Sequence, residues 1–225
     1  MKLVYEFTKT GDIIYISHLD LGRLFLRVLR MSGLRPVYSH GFNPHPKMSF
    51  ALPLPLGVHS ICELLEFETD AALVAIEKIN ERLPEGVRVT SRWEKPESVP
   101  KSLASYVAAA NYEFMCEGIT DAPALLEAFF NRTSVTAKKF DKKAGKESEK
   151  EIRAEMLDYR IVKNMRGRML TVTTLSAKPG QTLNPLVFFN AFCEYHGLAA
   201  GTLAPVITRI AILSADGKPL KEVLE

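Results

Sequence analysis

Three histidines and four prolines are concentrated in residues 38–60, which read YSHGFNPHPKMSFALPLPLGVHS. Imidazole binds metals and exchanges protons near neutral pH, and a carboxylate can also act as a general acid or base. His18, His45 and Glu63 are therefore the candidate catalytic residues. No metal site is assigned, because no histidine or cysteine spacing matches a zinc signature such as HExxH or CxxC. Three alternatives remain open: a metal site without a known signature, a histidine pair acting as acid and base on a phosphodiester, and a set of plain surface histidines.

The NPHP sequence at 43–46 restricts where its side chains can point. Proline fixes its own φ angle and keeps the preceding residue extended. We therefore expect His18, Asn43 and His45 to converge near the start of the first helix, where backbone N–H groups would suit an anion. The alternative is a stiff loop that covers the core.

Three arginines, Arg23, Arg27 and Arg30, are spaced by four and three residues and so share one helix face. Residues 1–60 carry seven basic and three acidic side chains, which fits an anionic partner. The face is either a solvated surface or a stripe that contacts phosphates. The candidate substrate- or RNA-binding residues are Arg23, Arg27, Arg30, Tyr38, His40, Phe42, Asn43 and Lys47.

Several classes of site have no sequence support. The chain contains no GxGxxG, GxxxxGK[ST] or GxSxG motif, so no cofactor is predicted. Its three cysteines form no CxxC pair, which argues against a disulfide framework or an iron–sulfur site. No apolar run is long enough for a membrane span, and because the start MKLVYEFTKTGD has no apolar h-region we expect no signal peptide. We expect a cytoplasmic protein with no membrane partner.

Apolar periodicity predicts β-α-β-β-α-β in the first hundred residues. Ser17 caps the first helix with Asp20 as its partner, and Gly33 ends that helix. Residues 13–16 and the arm from Met48 to Leu56 are predicted to be extended, and Asp70 is expected to cap the second helix. In the strand from Ile61 to Glu68, alternation turns Glu63 toward the core; a bulge or a functional buried carboxylate would explain this.

The second half gives a similar order with one irregular insertion. Asp121 and Asn184 are predicted helix caps, and the Lys-rich stretch 141–150 is expected to be mobile. The predicted fold class is α+β, with two tandem ferredoxin-like (β-α-β-β-α-β) domains that have antiparallel sheets. The first domain is predicted at 1–95 and carries SHLD and GFNPHPK. The second is predicted at 103–225 with the insertion at 141–150.

The stretch from Ile16 to Leu64 resembles the hallmark of the radical-SAM-linked proteins, a bacterial family of unknown function. The shared residues are Ser17-His18-Leu19-Asp20, Arg23, Arg27, Tyr38-Ser39, Gly41 to Lys47, Phe50-Ala51, Gly57, Ser60 and Glu63. Members of that family are encoded beside, or fused to, a B12-binding-domain radical SAM protein. The resemblance implies a radical SAM partner that supplies the cluster-binding cysteines, and it implies no catalytic residues.

The function expected from the sequence is that of an accessory protein that presents a substrate to a radical SAM enzyme, with RNA as the candidate substrate. The alternative is a stand-alone RNA-binding protein or a metal-independent endoribonuclease. For the alternative, only the architecture is similar to the tandem ferredoxin-like RNA endonucleases of CRISPR systems. An enzyme should have a closed pocket where His18, His45 and Glu63 meet, whereas an accessory protein should have an exposed basic or apolar surface.

Overall fold

The computed structural model describes residues 1–119, 121–141, 146–165 and 168–225. Within these ranges the α-helices are α1 (His18–Met31), α2 (Ile76–Asn80), α3 (Ala122–Phe130), α4 (Pro185–Tyr195) and α5 (Ala200–Leu203). The strands there are β1 (Lys2–Lys9), β2 (Met48–Phe50), β3 (His59–Glu68), β4 (Val87–Glu94), β5 (Ala109–Glu117), β6 (Thr136–Asp141), β7 (Lys146–Glu151), β8 (Met156–Met165), β9 (Arg168–Lys178), β10 (Gln181–Thr182) and β11 (Val206–Leu213). The protein is therefore α+β.

Two compact units divide the chain, one of residues 1–108 with 209–225 and the other of residues 109–208. The boundaries predicted from the sequence differ from this division chiefly at the C-terminal end. The segment from Arg209 onward packs within the first unit: Arg209 donates to the carbonyl oxygen of Leu52, and Lys221 lies 3.2 Å from Glu6 in an ion pair.

The first unit has the element order β-α-β-β-α-β that the sequence predicts. In its sheet, β1 lies between β3 and β4, while β2 and β11 both adjoin β3. β1 pairs antiparallel with β3 and β4, and β2 pairs antiparallel with β3. The pairing sets Tyr5 opposite Leu65 and Phe7 opposite Glu63. Because side chains on paired residues share a face, Glu63 belongs to the same face as the apolar core.

Helix α1 follows its sequence prediction closely. Ser17 caps it, accepting a hydrogen bond from the Asp20 N–H at 3.1 Å, and Gly33 has the predicted positive φ of 91° just beyond the end. Its apolar stripe packs on the sheet and against α2, burying Leu21, Phe25, Val28 and Leu29. This burial is the main reason that a helix of this length is stable.

Of the predicted extended residues 13–16, only Ile16 is extended. Gly11–Tyr15 forms a 3₁₀ helix. Lys9 Nζ donates to the carbonyl oxygens of Ile14 (3.1 Å) and Ile16 (3.0 Å), and the Gly57 N–H donates to Ile14. The Gly57 contact comes from a part of the chain that a local pattern does not include, and together with the Lys9 contacts it overrides the local preference.

The predicted arm from Met48 to Leu56 is a β-strand only at its start, since β2 ends at Phe50. Leu52 and Leu54 are buried, as the alternation predicts, but Ala51 is also buried and Leu56 is 53% exposed. The cause is again a distant residue: the Arg209 guanidinium donates to the carbonyl oxygens of Leu52 and Pro53, which turns the chain inward.

Helix α2 is shorter than predicted, and Asp70 does not cap it. The helix begins at Ile76 after Ala75. Ahead of it, Thr69 Oγ1 donates to the Arg35 carbonyl and accepts from the Ala71 N–H. Thr69 therefore organises a local turn at the position where the sequence suggested a helix start.

In the second unit, β9 pairs antiparallel with β5, β8 and β10, and β6 pairs with β7 in a separate two-stranded sheet. The Lys-rich stretch is therefore partly a strand, since β7 begins at Lys146; positions 142–145 lie outside the described residues. Asn184 caps α4 as predicted, through Oδ1 and the Leu186 N–H. Asp121 precedes α3, but its side chain makes no capping bond and its φ is +53°.

Candidate functional site

The arginine face consists of Arg23, Arg27 and Arg30, and all three side chains are exposed. Their spacing places them opposite the buried stripe of α1, as the sequence predicts. Arg23 Nη1 lies 2.9 Å from Asp20 Oδ1, and both side chains are largely in solvent. An exposed pair of this kind contributes little to stability, so Arg23 can exchange Asp20 for another anion at small cost.

The motif loop, residues 37–47, has two arms that pair with each other. The Ser39 N–H donates to the His45 carbonyl at 2.8 Å, the His45 N–H donates to Ser39 Oγ at 3.0 Å, and the Lys47 N–H donates to Val37 at 2.8 Å. The base of the loop is fixed to the end of β3, where Glu68 bonds to Val37 and Lys47 through its backbone. The loop is therefore a small hairpin with a fixed base.

The tip of the motif loop projects into solvent. His40, Gly41, Phe42, Asn43 and Pro44 are all exposed, and the relative exposure of Phe42 is 105%. Gly41 has a φ of +124°, which a residue with a Cβ rarely adopts. The Phe42 ring is therefore exposed to solvent at a turn whose backbone conformation depends on Gly41.

Tyr38 connects the motif loop to the arginine face. Arg30 Nη2 donates a hydrogen bond to the Tyr38 hydroxyl, and the guanidinium carbon lies 5.6 Å from the centre of the ring. A guanidinium over an aromatic ring gains a cation–π attraction. This contact places a cation and a second aromatic ring beside the loop.

The three candidate catalytic residues lie in different settings. His18 is exposed at the first position of α1, and its ring packs edge-to-face against Phe50 at 5.0 Å. His45 is exposed in the returning arm of the motif loop, and Glu63 is buried in β3. In the described part of the chain no hydrogen bond joins His18, Asn43 and His45 to one another. Their convergence on one ligand stays a prediction.

A cavity of about 350 Å³ adjoins the motif loop. Lys47 and Glu68 line it and form an ion pair at 2.9 Å, which holds the pKa of the Glu68 carboxyl below its ordinary value. The other polar lining residues are Ser39, His45, Ser49 and Glu66. Of the three candidate catalytic residues, His45 lines this cavity, whereas His18 and Glu63 do not.

The buried charge cluster consists of Lys9, Glu63 and Arg209, which are 1%, 2% and 1% exposed. Arg209 Nη1 donates to Glu63 Oε1 at 2.8 Å. The same guanidinium reaches Leu52 (3.1 Å) and Pro53 (2.8 Å) through their carbonyl oxygens. A buried charge has to be paired and hydrogen-bonded to be tolerated, and this arrangement meets both conditions.

Lys9 adds a second cation to the cluster. Burial lowers the pKa of the Lys9 ammonium, and the nearby Glu63 carboxylate acts in the opposite direction. Its ammonium holds the 3₁₀ turn that leads into α1. The cluster therefore fixes both the segment before the first helix and the Leu52–Pro53 segment, which favours a structural role for Glu63.

Cys62, the neighbour of Glu63, is not set up as a nucleophile. Burial raises the pKa of its thiol to about 12, with the Glu63 charge acting in the same direction. A thiol with so high a pKa stays protonated at neutral pH and reacts slowly. Among the described residues, no three histidine, cysteine or acidic side chains are grouped closely enough to hold a metal ion.

Comparison with protein families assigns the chain to a bacterial family. The pattern of a bacterial family matches residues 2–185, which is most of the sequence. The chain belongs to the DUF2344 family, described as uncharacterized proteins conserved in bacteria. No curated protein matches the chain. In the described ranges of this DUF2344 protein, no helix is both long enough and apolar enough to cross a membrane.

The DUF2344 match includes α1, the motif loop and Glu63, and it ends before β11. Sequence reasoning located the arginine face and the loop but missed Lys9 and Arg209. One signal for Arg209 was present: it is a basic residue within the otherwise apolar strand VITRIAIL. An unexplained acid on the core side of one strand and a base within another strand are together a reason to test for a buried pair.

Proposed function

We propose that this DUF2344 protein binds RNA and presents it to a radical SAM enzyme as an accessory protein. The observation that supports the RNA-binding part is the exposed arginine face beside the motif loop. From Leu21 to Cys62 the sequence has no acidic residue, and it has five basic residues, Arg23, Arg27, Arg30, Arg35 and Lys47. A phosphate backbone that approached this stretch would meet cations and few local repulsive charges.

The partner is proposed from the resemblance to the radical-SAM-linked proteins. SHLD and GFNPHPK carry that resemblance, and they lie on α1 and the motif loop. Cys62, Cys116 and Cys193 are all free thiols, so we propose that the cluster-binding cysteines belong to the partner. Free thiols are also typical of a reducing compartment, which supports our proposal that the protein works in the cytoplasm.

We also propose that each unit is a variant of the ferredoxin-like fold. In the first unit, the antiparallel strand order β4-β1-β3-β2 is the order that this fold requires. In the second, the succession β5, α3, β8, β9 and α4 supplies the first five of the six elements, with the β6–β7 hairpin as an insertion, and residues 206–208 of β11 also belong to this unit.

A second candidate function is that of a stand-alone RNA-binding protein or metal-independent endoribonuclease. The presence of His45 and Lys47 in the cavity beside the motif loop favours it, because a histidine beside a cation could exchange a proton with a phosphodiester. The burial of Glu63 against Arg209 counts against a centre that joins His18, His45 and Glu63. We therefore rank presentation above cleavage.

We expect RNA binding to weaken steeply with salt. If Arg23, Arg27, Arg30 and Lys47 each neutralise one phosphate of a single strand, a plot of log K against log salt should have a slope of about −3. Replacing Arg23 and Arg27 with alanine should reduce the slope to about −1.4. Fluorescence anisotropy of a labelled, unstructured RNA over a salt series measures both values.

The matched control is the double variant Arg88→Ala with Lys101→Ala, which removes the same charge from exposed positions elsewhere in the first unit. Its slope should equal that of the unaltered protein. A slope near zero for the unaltered protein, or the same reduction in both double variants, would contradict the proposed RNA surface.

A further inference from the structure

We propose that the tip of the motif loop is a base-stacking site, with Phe42 as the platform, that selects unpaired nucleotides. This inference rests on the proposed RNA binding and names the substrate class: single-stranded RNA, in the form of loops, bulges or ends.

The exposure of Phe42 gives the inference its first support. A fully exposed phenyl ring leaves its apolar surface in water, and covering that surface is favourable. Other apolar residues outside helices and strands, such as Ile152 and Val107, are buried, so the exposure of Phe42 is not typical of this chain. Phe42 makes no ring contact with another described aromatic side chain, so both faces of the ring are accessible.

The hydrogen bonding of the motif loop is the second observation that supports the base-stacking site. Its arms are joined by hydrogen bonds on both sides of the tip, at Ser39–His45 and at Val37–Lys47. Pro44 and Pro46 restrict the returning arm further. A side chain carried by a loop that is already ordered loses little entropy on binding, so the contact area of Phe42 can contribute to affinity.

The surroundings of the tip determine the chemistry of its ligand. Arg30 with Tyr38 adds a second aromatic ring and a cation at the arm of the loop. Along α1 the arginine face covers about 10 Å from Arg23 to Arg30 at 1.5 Å per residue. Aromatic rings beside a line of cations are the combination by which proteins bind single strands, with bases stacked on the rings and phosphates on the cations.

Two other ligands fit less well. In a double-stranded RNA the bases are stacked inside the helix and the major groove is too narrow for side chains, so Phe42 would have no base to contact. An acidic peptide would use the arginines and leave Phe42 without a role. The observations therefore favour an unpaired base.

The test compares two labelled RNAs at low salt with the full chain: an unstructured strand of roughly 12 nucleotides, within the usual site size, and a duplex of the same length. We expect the single strand to bind more tightly. Phe42→Ala should weaken single-strand binding by about 5- to 150-fold, the equivalent of one lost base stack, and leave duplex binding unchanged. The melting temperature should not change, because Phe42 contributes no burial.

Two further variants make the result specific to stacking. Phe42→Trp should retain the affinity, and its indole fluorescence should be quenched by the single strand but not by the duplex; the natural chain has one tryptophan as background. Tyr15→Ala removes another exposed aromatic side chain of the first unit and should have no effect.

The possible failures are distinguishable. If the single strand binds but Phe42→Ala binds it equally well, the stacking site is refuted and the proposed RNA binding stands. The inference is also refuted if the duplex binds as tightly as the single strand. A poly-glutamate peptide that displaces the single strand equally well from the natural chain and from Phe42→Ala would refute it too. If neither RNA binds, the proposed RNA binding fails and the inference fails with it.

Discussion

Replacing Arg209 with alanine should destabilise the first unit by about 3–5 kcal/mol, the usual cost of breaking a buried ion pair from one side. The substitution leaves the Glu63 carboxylate buried without its cation. It also leaves the carbonyl oxygens of Leu52 and Pro53 without their donors. Urea unfolding followed by fluorescence of Trp93, which lies in β4 of this unit, measures the free energy of unfolding.

A second variant separates the unpaired charge from the loss of packing. Arg209→Met with Glu63→Leu removes both charges and keeps much of the volume, so it should recover most of the lost stability. Lys9 would then lose the nearby carboxylate, which is tolerable because burial lowers the pKa of its ammonium and the neutral amine can still donate to its two carbonyl oxygens. A loss below about 1 kcal/mol for Arg209→Ala would mean that the pair is not buried as described.

Gly86→Ala should be similarly damaging, with a loss of about 2–6 kcal/mol from backbone strain and overpacking together. Gly86 has a φ of +87°, and a Cβ there would lie 2.1 Å from the Thr10 carbonyl oxygen. The neighbouring atom is backbone, and the Thr10 N–H is also bonded to the Gly86 carbonyl at 2.8 Å. Relieving the clash would therefore break the contact between the turn after β1 and the turn before β4.

Gly217→Ala is the matched control for strain alone. Gly217 has a φ of +80° in the same unit, and a Cβ there would meet no atom within 4 Å. Its loss should be limited to the strain, about 1–3 kcal/mol. Equal losses of stability in the two variants would contradict the close approach at Gly86. The same unfolding measurement serves for both.

The sequence correctly predicted those parts of the fold that are determined by residues close together in the chain. α1 has a cap, an unbroken apolar stripe and a terminal glycine within one stretch, and each was found where expected. The position of Glu63 followed from strict alternation in β3. The exposed arginine face followed from the same periodicity as the buried stripe, because one helix determines both.

The parts that the sequence missed depend on partners far along the chain. Arg209 lies 146 residues from Glu63, and it decides where the extended arm ends. In the turn at residues 13–15 the Ile14 carbonyl accepts from the Gly57 N–H, and beside the expected Asp70 cap the Thr69 hydroxyl donates to the Arg35 carbonyl. A one-sequence pattern carries no information on such pairs. The exposure of Phe42 was similarly beyond a pattern, since apolar residues in loops are often buried.

The most direct test of the central claim is co-expression with the radical SAM protein that we propose as the partner, followed by pull-down, size exclusion and an assay of the partner's turnover. We expect one complex at micromolar concentration. Asn43→Ala with His45→Ala should lower turnover without changing the melting temperature, because both side chains are exposed, and Asn131→Ala with Lys178→Ala, also exposed, should leave turnover unchanged. Separate elution of the two proteins, together with a double variant that lowers only stability, would contradict the account.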